Sequence, residues 1–236
     1  MRLLFRFIFL YSFSCIQHFH CGQTSDFRIQ EVERLFQSAR ISSDVSLLMR
    51  AYSLVNKRLR QSPDEISTCI WKGKLENSLH AYEFAIETLK TCYRLNPDPE
   101  IQGQIAEVYL HQDRIAEARK ALELSSKTKI RFLYHAREAL LSKKMGQLDA
   151  SHAQWDMALD SYDRMDPEPP AWVLVEIGDL YRLQGKEAQA TANYQKSLGL
   201  VPRYGPALRG LKALRSQGRS QSGSKSVRLP VKSSEQ

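Results

Sequence analysis

The sequence predicts an all-α protein, an α-solenoid of about five helix pairs with a C-terminal capping helix, and three observations predict it. Small residues recur on a ruler: Ala39, Gly73, Ala106, Ala139 and Gly178 are spaced 34, 33, 33 and 39 residues apart. Ala51, Ala85, Ala118, Ser151 and Ala190 repeat the same four spacings, and Cys92, Ser125, Ala158 and Ser197 repeat the last three. A large apolar residue precedes each of these four by three, in the order Leu89, Leu122, Trp155 and Tyr194, and Val55 stands three before the corresponding place in the first unit. Second, Pro63, Pro97, Pro167 and Pro202 stand 34, 70 and 35 residues apart, as though one proline were omitted near Ile130. Proline fits between units because it cannot continue one helix but is pre-set to begin the next. Third, apolar residues between the prolines keep helical periodicity.

The elements follow in chain order. Residues 1–22 combine Arg2 and Arg6 with an apolar run from Phe7 to Ile16. Ten residues are too few to span a bilayer, which takes about 20, but they suit the core of a signal peptide. Export to the periplasm or the extracellular space is the expectation, with lipid or membrane anchoring ranked behind it. Cys15, His18, His20 and Cys21 fall in the same leader, too compressed for a structural zinc site, so no metal is expected. From Phe27, Ile29, Val32, Leu35 and Phe36 mark a first helix, and Val45, Leu48, Tyr52, Val55 and Leu59 a second capped by Ser43 or Asp44.

The units drawn from the ruler are 32–65, 66–98, 99–131, 132–170 and 171–204, within one solenoid over 24–216. The first departs most, since Arg58 sits where a small residue belongs. The fourth is about five residues too long, the excess assigned to a linker at 166–170. A cap at 206–215 sets Ala207, Leu208, Leu211 and Leu214 against Arg209, Lys212 and Arg215. Residues 216–236 read as a disordered basic tail.

The unit from Ala171 to Tyr204 carries the resemblance. Gly178-x2-Tyr181-x3-Gly185 is followed by Ala190-x3-Tyr194-x2-Ser197-Leu198-x3-Pro202. This resembles the tetratricopeptide repeat (TPR), and Gly73, Ala85, Ala106, Tyr109, Ala118, Ala139 and Ala158 hold matching places in earlier units. The resemblance implies a binding scaffold whose concave face is lined by the first helix of each pair. On that register Lys74, Asn77, Glu107, His111, Arg137, Lys143, Trp172, Glu176, Asp179 and Arg182 face the groove. Trp172 reads equally well as packing against a Pro169–Pro170 linker. The Lys-Asn-Asn-Lys-Arg clamp by which some relatives take a chaperone tail fails here. Ile70, Lys74, Gly103, Gln104 and Glu107 occupy the region where it would begin.

No phosphate loop, CxxC, HExxH or GxSxG is present, so neither an enzyme nor a cofactor is expected. The net charge of +8 is concentrated at the ends: eight Lys/Arg and one acid lie from Arg203 onward, and the body is close to neutral. The expected role is therefore a protein–protein interaction scaffold holding a partner protein or peptide, with a place in envelope or secretion assembly. The alternative is an accessory subunit docking on anionic membrane or nucleic acid through its tail. Cys69, early on one helix, and Cys92, late on its antiparallel partner, lie near each other in this register. They read either as a disulfide or as two buried thiols.

Overall fold

The structure is a computed structural model, describing the backbone of residues 29–224 and side-chain burial for residues 29–216. Among the described residues it holds eleven helices and no strand. They are α1 (29–42), α2 (Val45–Gln61), α3 (Ile66–Ser78), α4 (Tyr82–Leu95), α5 (Pro99–His111) and α6 (Ile115–Ser125). Then come α7 (Arg131–Lys144), α8 (Leu148–Asp160), α9 (Glu168–Leu183), α10 (Glu187–Leu200) and α11 (Gly205–Ser224). Helices α3 and α4, α5 and α6, α7 and α8, and α9 and α10 pack as successive pairs, α1 packs on α2 through Val32, Leu35, Ala51 and Val55, and α11 lies against both α9 and α10.

Close helix approach explains the small-residue ruler. A Cβ built on Gly73 would stand 2.6 Å from Leu89, and one on Gly178 would stand 2.7 Å from Tyr194. Ala51, Ala85, Ala106, Ala118, Ala139, Ala158 and Ala190 are fully or almost fully buried, as are the large partners Val55, Leu89, Leu122, Trp155 and Tyr194. Serine replaces alanine where its hydroxyl finds a backbone carbonyl. Ser151 donates to Ala139 O and Ser197 to Ala171 O, both at 2.8 Å. At the poorest unit, Arg58 is satisfied by Glu65 at 2.6 Å. Tyr109 is buried and Tyr181 half-buried.

The turn inside each pair needs a left-handed residue. Gly146 and Gly185 supply it with φ of 75° and 72°, but Ser43, His80 and Asp113 hold the same turn at 62°, 60° and 57°. Asp44 caps α2 by accepting from Ser46 N at 2.9 Å, and Asp98 caps α5 by accepting from Glu100 N at 2.8 Å. Where the proline count skips, Thr128 Oγ1 accepts from Ile130 N at 3.3 Å just before α7.

Two expectations change. The 166–170 segment is not a linker throughout, because α9 starts at Glu168 and places Pro169 and Pro170 in its first turn, where no N–H is needed. The last helix is longer than 206–215, running from Gly205 to Ser224 with no proline between Pro206 and Pro230 to stop it. The tail expectation beyond Ser224, and the whole of the leader with its cysteines and histidines, lie outside the described residues. Cys69 and Cys92 are joined by a disulfide between α3 and α4, their Cα atoms 5.8 Å apart.

Candidate functional site: the inner face and its C-terminal end

Eight of the ten expected groove residues pair with one another. Across neighbouring units, Asn77 meets His111 Nδ1 at 2.8 Å, Arg137 reaches Glu107 at 3.4 Å, and Lys143 donates to Glu176 at 2.9 Å. Within one helix, Arg182 Nε donates to Asp179 at 3.4 Å. The remaining two are Lys74, whose ammonium lies 4.8 Å from the Trp71 ring centroid, and Trp172.

Arg137 and Asn77 are not open groove residues. Arg137 is 3% exposed and makes a two-pronged pair with Glu100, at 2.7 and 3.1 Å, besides its bond to Glu107. Thr128 adds a hydroxyl to the same Glu100 carboxylate at 3.3 Å. Gly103 makes room for this arrangement, since a Cβ there would collide with the Arg137 guanidinium. The repeat register places a residue on a face but does not say whether its neighbour's acid will cover it. A glycine inside a first helix, at a place the ruler does not require, was the available signal.

Charge follows this geometry. Burial opposes the Arg137 cation, but Glu100 and Glu107 outweigh it and raise its pKa. Burial would also raise the Glu107 carboxyl, yet Arg137, His111 and Arg40 together hold it below its usual range. Lys74 is lowered by burial, against the attraction of Glu100 and Glu107.

The two ends of the array meet, a contact that no periodicity announces. Gln37 donates to Asp166 at 3.2 Å, 129 residues away, and Arg40 pairs with Glu168 at 3.1 Å. Glu168 is buried and also accepts from the Tyr204 hydroxyl at 2.8 Å. Arg209 of α11 donates to the Ser43 hydroxyl, and Gly205 sits so close that a Cβ would stand 3.0 Å from Ile41 O.

Trp172 stands where these parts converge. It packs edge-on against Trp155 at 5.3 Å, with the Arg40 guanidinium 5.4 Å from its own ring centroid. Its packing partners are thus Trp155, Phe132 and Arg40 rather than a proline linker. It also lines two depressions that share Trp172, Pro206 and Arg209. One, of about 430 Å³, lies between α9 and α11 and includes Glu176, Asp179 and Arg182. The other, of about 410 Å³, opens toward α1 past Phe36 and Arg40. Volumes of this size suit a few side chains of a bound segment.

No protein-family model matches the chain, and no curated protein matches it in sequence. Solved structures do match it. The thermophilic TPR protein TTC0263 of Thermus thermophilus superposes with a TM-score of 0.63 at 18% identity, over 83% of this chain and 97% of that one. This chain has the tetratricopeptide-repeat fold. Cut9, in its complex with Hcn1 from the APC/C, gives 0.62 at 14% identity over 78% of this chain and 40% of its own. The human IFIT1 dimer with PPP-AAAA gives 0.61 at 16% identity, over 77% and 44%. This chain therefore spans less than half the length of the latter two TPR proteins. Among the described residues no group of three or more His, Cys, Asp or Glu is arranged to hold a metal ion. No described helix is long and apolar enough to cross a membrane.

Proposed function

We propose that this TPR protein is an interaction scaffold that holds an extended segment of a partner protein in the depression between α9 and α11. The observation that carries this reading is the contrast along the inner face. In the middle, charged residues are spent on neighbouring units. At the C-terminal end, Trp172, Arg182 and Arg209 border open volume. A half-buried tryptophan beside arginines is the composition in which interface energy concentrates. Selection from a displayed peptide library tests it. The intact protein should enrich a family of segments that Trp172→Ala no longer retains at a temperature where that variant's own melt shows it folded. Equal enrichment by both proteins would place binding elsewhere.

We further propose that the protein works in an oxidising compartment. The Cys69–Cys92 bond supports this, because disulfides persist outside the reducing cytosol, and so does the signal-like character of residues 1–22. An intact-mass measurement on protein from its native cells should show loss of the leader and two fewer hydrogens than the reduced chain. The tail-docking alternative is favoured only by the run of Arg209, Lys212 and Arg215 along α11, and it calls for binding to anionic vesicles that collapses in moderate salt.

A further inference from the structure

We infer that the α9–α11 depression selects a partner segment in which an acidic residue adjoins an apolar one. This rests on the site proposed above and adds the chemistry it would recognise.

The carboxylates of the wall are already engaged. Asp179 accepts from the Tyr194 hydroxyl at 2.7 Å and from Arg182 at 3.4 Å. Glu176 takes the Lys143 ammonium at 2.9 Å. One cation of the wall, Arg209, is less committed. Arg209 is exposed, and among the described residues it donates to a neutral hydroxyl, that of Ser43. Arg182 is engaged in turn, with its Nε donating to Asp179 and its guanidinium bonded to the Tyr194 hydroxyl. Helix α11 contains no acid from Gly205 to Ser224, so nothing on that helix neutralises Arg209. A planar guanidinium with spare donors favours a carboxylate, which it can hold through two parallel bonds. Beside it, Trp172, Val175, Pro206 and Ala213 form an apolar floor for the neighbouring side chain.

Other occupants fit less well. The chain's own last residues carry Lys225, Arg228 and Lys232 against the lone acid Glu235, the same sign as Arg182 and Arg209. A nucleic acid would bring closely spaced phosphates against Asp179 and Glu176 with one aromatic to stack on, whereas non-specific strand binding uses several. One carboxylate at the Arg209 end avoids that repulsion.

The test uses the full chain and three labelled synthetic peptides followed by fluorescence anisotropy. One has a Ser-Leu-Glu-Phe-Ser core between Gly-Ser flanks, the second replaces its acid by Gln, and the third by Lys. A single-stranded oligonucleotide of equal length is the fourth probe. The acidic peptide should bind at least about tenfold more tightly than the amide peptide, as loss of a charge-assisted pair implies. Arg209→Glu should erase that preference, Arg209→Gln should reduce it, and Trp172→Ala should weaken every peptide, with each variant's melting checked. Equal binding of the acidic and amide peptides, both lost in Trp172→Ala, would leave the site standing and overturn the acidic preference. Failure of all peptides, or binding indifferent to Trp172, would overturn the site itself. Tighter binding of the oligonucleotide that depends on Arg209, or concentration-dependent self-association lost in Arg209→Glu, would replace the acidic segment with nucleic acid or with a second copy.

Discussion

The middle of the inner face and its C-terminal end are both lined by the first helix of a pair, yet they have been put to opposite uses. Around Arg137, a guanidinium, two carboxylates, a threonine hydroxyl and a glycine-shaped gap close on one another, and the cation is 3% exposed. Around Trp172, the first helix of unit five faces α11, and the space between them stays open. A repeat register predicts which way a residue points. Whether it is free to bind depends on what the next unit offers it.

Breaking the middle should have the largest effect. Arg137→Ala strands Glu100 and part of Glu107, and loss of one partner of a buried ion pair costs about 3–5 kcal/mol. A urea melt should show that loss, whereas Arg182→Ala, at a half-exposed pair, should lower stability by about 1 kcal/mol or less. Equal losses would mean the middle of the face and its C-terminal end do not differ. Next comes the covalent tie in unit two. Replacing both Cys69 and Cys92 by Ala should cost about 3 kcal/mol by the chain-entropy estimate for a loop of this length. The denaturation midpoint of the oxidised wild type against the double variant measures it.

Gly178→Leu addresses the helix contact that unit five shares with every other unit. Its first added atom already meets Tyr194 at 2.7 Å, so overpacking should cost about 1–3 kcal/mol, read as a lower melting temperature. A smaller effect is expected in alkali. Burial and Asp179 raise the Tyr194 hydroxyl above the usual tyrosine value, and burial with Glu168 does the same for Tyr204. The folded chain therefore keeps these two protons after the unfolded chain has begun to lose them. Stability should be complete below pH about 10 and decline as pH rises above it. The decline should be shallower in Tyr204→Phe, which also removes the bond to Glu168 at the seam.

Much of this is legible in the sequence because sterics leave a periodic trace. Gly73 and Gly178 are small where Leu89 and Tyr194 press on them, and the spacing of such places needs no side-chain chemistry to detect. Other features leave none. Ser43, His80 and Asp113 make left-handed turns without being glycine, so nothing in their residue type marks them as turns in the way Gly185 is marked. The Arg40–Glu168 pair joins first and last units, and no local period encodes a contact across the array. The register puts Arg137 on the right face but not in its burial, which is the joint work of Glu100, Gly103 and Glu107 from the preceding unit.

The three tryptophans offer the most direct test, because Trp71 lies beside Lys74 on the inner face of unit two and Trp172 borders the C-terminal depression. Their indole N–H signals can be followed by nitrogen-15 NMR and assigned by Trp71→Phe and Trp172→Phe as the acidic peptide is added. The expected result is a saturating shift of the Trp172 signal, with a weaker response at Trp155, its ring neighbour, and none at Trp71. A saturating shift of Trp71 with Trp172 unmoved would contradict the account, placing the binding surface in the part of the face that the ion pairs close.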